Sequence, residues 1–551
     1  MSAVPLQDPA GGLNPVSRRV MNLATFLTQA AARLPERPAL VIDDETTTWR
    51  QLEARVQALA CVFVEHGLGK GDRILIHTPN GRELLEVMLA TFRIGAVWVP
   101  TNYRIGPDDV AYLAQSAGVS AFICHHDFPA HARVAENLDG LKLVAGTGPA
   151  VVGVPGIDAL IDQRLAAGGA AHAAVRVDRD DPCWFFFTSG TTGKPKAAVL
   201  THGQMAFVVT NHLCDLMPGT THADASLVVA PLSHGAGIHY LTQVARGAAT
   251  VFSTRARFSP EEAWRLIERH RITNFFTVPT IIKLMTEDVG VDHYDHSSLR
   301  YVIYAGAPMY RADQQYALGK LGPVLVQYFG LGEVTGNISV LPPHEHSADD
   351  AAMPKLGSCG YARTGMEIAI QDDDGQRLAP RQQGEICVCG PAVFAGYYDN
   401  PEANRKAFRD GWFRTGDLGY LDEQGYLFIT GRQSDMYISG GSNIYPREIE
   451  EKLLTYGAIR EVCVLGVPDP KWGEVGVMVA VLHGDATWDE AAFRGWLDEH
   501  VARYKQPRAF FIWPELPKSG YGKISKKIIY QELVQRGCVA ERTRAGTGGV
   551  Q

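Results

Sequence analysis

Apolar and polar positions follow two rhythms along this chain, and the change between them marks its architecture. Through roughly the first two thirds, short apolar runs at 73–77, 96–100 and 121–124 stand between longer segments such as 84–92, where apolar residues recur every three to four positions. The runs predict buried strands and the longer segments predict helices. Their alternation predicts α/β layers with largely parallel sheets. Runs at 184–187, 227–230 and 301–304 are further strands of this kind. The last two lead into Gly- or Pro-bearing loops, where open α/β sheets hold ligands. From about residue 357 the runs alternate and are separated by Gly-rich turns, as at 367–370 and 384–388. This predicts a more antiparallel, β-barrel-like portion over 357–431. After Gly431-Arg432-Gln433-Ser434-Asp435, residues 446–454 have helical spacing and 462–465 read as a strand. The expected fold class is α/β. A large N-terminal domain (21–431) of layered mixed and parallel sheets with helices carries the barrel-like subdomain, and a small α+β C-terminal domain spans 432–538. Residues 1–20 read as a loose leader and 539–551 as a disordered tail.

Size and charge narrow the function. A chain of 551 residues exceeds one core, so two or more domains are expected. A formal charge of −8 argues against a nucleic-acid partner, which leaves a basic footprint. Nine cysteines without a CxxC pair fit a reducing cytosol, and hence a cytoplasmic location. Residues 1–20 lack the apolar core of a secretory signal. No apolar run reaches the roughly 18 residues of a membrane span.

The densest chemistry is Thr188-Ser-Gly-Thr-Thr-Gly-Lys-Pro-Lys196, directly after the strand at 184–187. Glycines bring backbone N–H groups close to an anion, hydroxyls donate to phosphate oxygens, and lysines supply positive charge. This is a phosphate-handling loop. Its glycine spacing differs from the P-loop pattern of four residues between glycines followed by Lys and a hydroxyl.

The nine-residue string resembles the signature of the adenylate-forming (ANL) enzymes, which include acyl-CoA synthetases, peptide-synthetase adenylation domains and firefly luciferases. Four further motifs follow in that family's order, and the resemblance spans nearly the whole chain. It implies ATP and CoA as co-substrates, Mg²⁺, and a mobile C-terminal cap. It implies ATP or AMP contacts from Thr188, Ser189, Gly190, Thr191, Thr192, Gly193, Lys194 and Lys196. Gln327-Tyr-Phe-Gly-Leu-Gly-Glu333 is similar to the family's Tyr-Gly-x-Thr-Glu motif. There Tyr328, Phe329, Gly330, Leu331 and Gly332 lie along the nucleotide, and Glu333 with Thr188 holds the metal. Gly332 departs from the usual Thr or Ser. Ala305-Gly306-Ala307-Pro308 resembles the segment beside adenine and the acyl group. Asp417 resembles the ribose ligand, and Arg432 the arginine beside the hinge. Ser434 falls at the hinge position, where Asp or Lys is common. Lys523, in Pro517-Lys-Ser-Gly-Tyr-Gly-Lys523, resembles the catalytic lysine of adenylation, with Thr188 and Glu333 as its companions. The implied acyl pocket draws on His234, Gly235, Ala236, Gly237, Tyr304, Ala305, Gly306 and Leu331. Gly440, Gly441 and Tyr445 are implied at the pantetheine tunnel.

The expected activity is acid–thiol ligation: a carboxylic acid, ATP and CoA give acyl-CoA, AMP and pyrophosphate. One alternative is an adenylation enzyme that loads an acyl or aminoacyl group on a carrier protein. Another is a nucleotide-binding regulator with impaired catalysis, favoured only by Gly332. The small residues at 235–237, 305 and 307 suggest room for an aromatic ring, a branched acid or a medium chain. The expected partners are small molecules, and the expected state is a monomer or homodimer.

Overall fold

The structure, a computed structural model, describes residues 18–149, 153–169, 171–189, 194–255, 258–307, 309–353, 355–432, 435–440, 442–484, 486–518 and 524–540. By compactness the chain divides into two units, residues 1–368 with 388–413 and residues 369–387 with 414–551. Strands Glu367–Gln371, Gly384–Cys389 and Trp412–Leu421 each run across the division, so it falls inside elements and not in a linker.

The first unit holds two sheets. In the six-stranded sheet, β1 (Pro182–Ser189) and β2 (Pro195–Thr201) form an antiparallel hairpin at one edge. Inward from β1 come Val97–Pro100, Arg73–His77, Ala121–His125 and Leu143–Thr147, all parallel, as their continuous apolar runs predict. Helix α1 (His202–Asp215) follows β2 directly and starts on a capping box made by Thr201 and Gln204.

The nine-stranded sheet is parallel through its middle. Helix α2 (Gly235–Arg246) precedes its central strands β3 (Asn274–Thr277), β4 (Tyr301–Tyr304) and β5 (Leu325–Phe329). Ala225–Val228, Ala249–Phe252 and Pro38–Ile42 continue it beyond β3, and short antiparallel strands close both edges. One face of β3–β5 sends Phe275, Val302, Tyr304 and Leu325 into a core with Trp264 and Ile282. The other sends Ile303, Ala305, Val326 and Tyr328, with Phe276, against Leu216 and Met217 just past α1. Because side chains alternate along a strand, Asn274 shares this second face with Phe276.

The second unit is α+β. Strands Ser442–Ile444, Tyr437–Ser439, Gly473–Leu482 and Ile459–Asp469 lie in that order, with Ala509–Ile512 parallel to Gly473–Leu482. Residues from both sheet faces enter apolar clusters, around Ile449 and Phe493 on one side and Trp513 and Leu533 on the other. From Arg414 on, this unit also contains the hairpin of β6 (Trp412–Leu421) and β7 (Leu427–Arg432), which sets Asp417 opposite Arg432. Among the described residues, no helix is long and apolar enough to cross a membrane.

Candidate active site

Strand β1 buries Trp184, Phe185 and Phe186, then delivers Thr188 to the half-buried end of the strand. Thr188 Oγ1 donates to Glu333 Oε1 at 2.8 Å, although 145 residues separate them. Glu333 follows β5 in a short helical turn, Gly332–Val334, and is only 5% exposed. The hydroxyl of Tyr397 donates to the same oxygen at 2.9 Å. Lys196 Nζ stands 4.3 Å from the centroid of the Tyr397 ring. Two hydroxyls thus hold one oxygen of a buried carboxyl group. Burial and the neighbouring Glu333 push the Tyr397 phenol well above its usual range, so it acts as a donor throughout. Tyr397 was missed in the sequence because no spacing rule links it to positions 188 and 333. Lys194 lies over the ring of Tyr112, 5.1 Å from its centroid.

The turn after β5 depends on close backbone approaches. A Cβ on Gly330 would collide with the backbone of Gly336, which has φ +79°. A Cβ on Gly332 would sit 2.6 Å from Phe186 Cε1 and 2.9 Å from Thr188 Cγ2. The departure from Thr or Ser at this position therefore has a packing cause: the Phe186 ring occupies the space. The nearby Thr335 hydroxyl is turned to the main chain. Thr335 is 2% exposed, has φ +50°, and donates to the carbonyl of Val334 at 2.7 Å.

Near the start of α2, the His234 ring lies 4.6 Å from that of Phe186, and its Nδ1 is 2.9 Å from the Ser233 carbonyl. The small residues that follow serve packing. The place of a Gly235 Cβ is taken by the Phe276 ring, with Cε1 2.7 Å away, and that of Gly237 by the Leu232 carbonyl. Ala236 and Ala305 are buried at 5% and 4% exposure. The expectation that smallness here means room is corrected accordingly at 235 and 237. Tyr304 is corrected too. Its side chain lies on the opposite face of the sheet from Ala305, with its hydroxyl among Gln314, Gln327 and His346. Gly306, with φ +84°, Ala307, Phe329 and Leu331 are neither fully buried nor engaged in side-chain bonds of this kind.

In the second unit, Arg432 Nε donates to Asp417 Oδ1 at 2.7 Å across the β6–β7 hairpin. Asp417 is 3% exposed, and its Oδ2 has no partner among the described residues. Burial raises the Asp417 carboxyl above its usual range, against the pull of Arg432. A buried acceptor without a donor suits a diol. Gly440 has φ +56°, and a Cβ there would lie 2.7 Å from the Trp472 ring. Tyr445 precedes helix Pro446–Leu453 and packs on Gly431. Of the basic residues around 523, Lys518 pairs with Glu461 and Lys526 with Glu450, at 2.9 and 2.8 Å. Gly190, Thr191, Thr192, Gly193, Pro308, Ser434, Gly441 and Lys523, and the side chain of Ser189, lie outside the described residues.

The family model described as AMP-binding enzyme matches residues 27–398, and its C-terminal-domain model matches 448–523. The chain belongs to the AMP-binding enzyme family. A feruloyl-CoA synthase from Amycolatopsis sp is 32% identical over 510 residues, covering 92% of this chain and 98% of the relative. The long-chain-fatty-acid–CoA ligase FadD13 of Mycobacterium tuberculosis is 31% identical, covering 93% and 98%. Among solved structures, the Bacillus subtilis o-succinylbenzoate CoA synthetase MenE, in complex with its acyl-adenylate intermediate, superimposes with a TM-score of 0.80. It is 30% identical and covers 93% of this chain and 98% of its own. The α/β architecture expected from the sequence matches these relatives.

Proposed function

We propose that this family member activates a carboxylic acid with ATP, forming an acyl-adenylate and pyrophosphate, and then transfers the acyl group to CoA with release of AMP. The observation that carries the reading is the buried Glu333 carboxylate, held by Thr188 and Tyr397 where the hydroxyl-, glycine- and lysine-rich loop begins. It is supported by two relatives named for CoA thioester formation and by a structural neighbour that holds an acyl-adenylate.

The first half-reaction brings a carboxylate against a polyanion, so charge neutralisation and in-line alignment dominate. The loop 188–196 receives the phosphates through backbone N–H groups, hydroxyls and Lys194 and Lys196. Glu333 and Thr188 offer the hard oxygens that Mg²⁺ prefers, and the ion when bound offsets phosphate charge. Lys523 bridges the attacking carboxylate and the α-phosphate as a mobile cation. Asp417 accepts from the ribose hydroxyls, with Arg432 orienting it. The acyl group lies by His234, Ala305, Gly306 and Leu331, its tail along α2. The region 432–538 turns about Ser434 between half-reactions, and Gly440, Gly441 and Tyr445 then border the pantetheine arm. The enzyme acts in the cytoplasm as a monomer or homodimer. The regulator alternative loses its support because Phe186 accounts for Gly332.

A panel of aryl, branched and C6–C10 acids, assayed for AMP and acyl-CoA with and without CoA, tests the reading. Acyl-CoA formed with at least one acid supports it. Pyrophosphate release without any thioester moves the acceptor elsewhere, and silence across the panel rejects it.

A further inference from the structure

The carboxyl end of the six-stranded sheet carries a histidine pair that the reaction does not use. Strand Ala121–His125 ends on His125, and His126 and Asp127 form the turn that leaves it. This strand lies three places from β1, and the strands between are parallel to both. The turn therefore opens on the same sheet edge as the loop after β1, about 14 Å along it. His126 Nε2 lies 2.8 Å from Asp127 Oδ1, and His125 Nδ1 lies 3.6 Å from Asp127 Oδ2. One nitrogen of each ring and one carboxylate oxygen all lie within 4.8 Å of one another. Among the described residues, no other three His, Cys, Asp or Glu side chains come together in this way.

The two rings are held in place by the main chain around them. The N–H of His126 donates to the Thr147 carbonyl at 3.2 Å, and that of Phe128 to the His125 carbonyl at 3.0 Å. The ring centroids are 4.3 Å apart, with the planes inclined at 46°. Both rings lean on Gly148, which has φ +77° and donates its N–H to Glu83 Oε1 at 3.0 Å. A Cβ at 148 would lie 2.8 Å from His125 Nε2 and closer still to His126 Nδ1. Glycine thus lets both rings seat against the main chain and turn their other nitrogens toward Asp127. Two further histidines close by are engaged elsewhere. His77 Nδ1 is 2.7 Å from the Thr101 hydroxyl, His131 Nε2 donates to the Ile105 carbonyl at 2.9 Å, and their rings stack on each other.

We propose that His125, His126 and Asp127 bind a divalent transition-metal ion, Zn²⁺ foremost. Two imidazoles and a carboxylate are donors that Zn²⁺ takes at about 2.1 Å, which sets the donors about 3–3.5 Å apart. Small ring rotations bring these three to that spacing. The nitrogen donors disfavour Mg²⁺, which prefers an all-oxygen shell. At neutral pH an ordinary imidazole is mostly unprotonated and free to ligate. The Asp127 side chain is 63% exposed, so water completes the coordination from the solvent side. The bound ion would tie the turn at 126–127 to the strand end and stabilise the first unit by mass action. This site is separate from Glu333 and Thr188 and does not depend on the ligase reading.

The test titrates tag-free, full-length protein, stripped of metal, with Zn²⁺ by calorimetry in the presence of millimolar Mg²⁺. One equivalent should bind per chain with a micromolar Kd or tighter and raise the melting temperature. Co²⁺ in its place should give a visible absorption band. His126→Gln and Asp127→Asn should each weaken Zn²⁺ binding by about 10-fold or more and remove the band. Gly148→Ala replaces no ligand, yet should weaken binding by displacing both rings. His344→Gln, at a histidine 76% exposed and outside the site, should leave it unchanged. Melting without metal checks that each variant folds, and if Gly148→Ala does not, the two ligand substitutions decide. No stoichiometric Zn²⁺ binding to the wild-type protein, or binding that survives both ligand substitutions, overturns the proposal.

Discussion

Replacing Gly332 by Thr would restore the residue usual at this position in the resembling family, yet it should damage the protein. The added Cβ would stand 2.6 Å from Phe186 Cε1, 2.7 Å from Cδ1 and 2.9 Å from Thr188 Cγ2. Carbon atoms at rest lie 3.5–4.0 Å apart, so Phe186 or the turn must shift by about 1 Å. Phe186 is 8% exposed and touches the rings of Trp184 and His234, which limits its freedom. Overpacking of this kind costs about 1–3 kcal/mol. The displacement also reaches Thr188 and, through its hydroxyl, Glu333. Melting of the first unit should drop by a few degrees, and acid-dependent pyrophosphate release should fall rather than rise. Phe186→Ala should itself destabilise the protein, but in the double variant the Thr should fit. A thermodynamic cycle over the four proteins should give a favourable coupling of about 1 kcal/mol or more. Unchanged melting and faster pyrophosphate release in Gly332→Thr alone would refute the packing explanation.

Tyr397→Phe removes one of the two donors to Glu333 Oε1, a bond to a charged group worth about 1.5–3 kcal/mol. It should lower kcat/KM for adenylation about 10-fold or more and raise the Mg²⁺ concentration needed for half-maximal rate, measured by pyrophosphate release. Lys526→Met leaves Glu450, whose Oε1 also accepts from Val464 N, without its cation. Calorimetry should show the second unit destabilised by about 3 kcal/mol or more. His202, His239 and His346 are held by burial near about 4, against 6.5 for the unfolded chain. Between those values the unfolded chain binds more protons, so their stability is fully present above about 6.5 and lost as pH falls toward 4. The melting temperature should fall over that window, and His346→Gln should flatten the slope; a flat profile in the wild-type protein contradicts the buried, neutral assignment.

Much of the fold was legible because its strands are short apolar runs set between helical periods. The residues at 73–77, 121–124 and 301–304 lie in strands as expected. The same property hid which face each side chain uses. Tyr301-Val-Ile-Tyr304 is apolar on both sides, as parallel strands covered on both faces are, and nothing in it turns Tyr304 away from Ala305. Glycine was ambiguous for a related reason. A missing side chain reads as space, whereas at Gly235 and Gly332 aromatic rings from distant positions fill it. Motif order singled out Thr188 and Glu333 separately. Their shared hydrogen bond, and the part played by Tyr397, exist only once β1, β5 and the 394–398 segment are brought together. The Asp417–Arg432 pair was within reach of spacing, since a hairpin with its turn near 422–425 sets the two opposite each other.

The central claim, that Glu333 and Lys523 serve formation of an acyl-adenylate, is tested most directly by acid-dependent ATP–pyrophosphate exchange without CoA. The wild-type protein should exchange label only when a carboxylic acid substrate is present. Glu333→Gln and Lys523→Ala should each lose at least about 100-fold of that rate while keeping the wild-type melting temperature. Exchange that needs no acid, or that persists at the wild-type rate in both variants, would contradict the account.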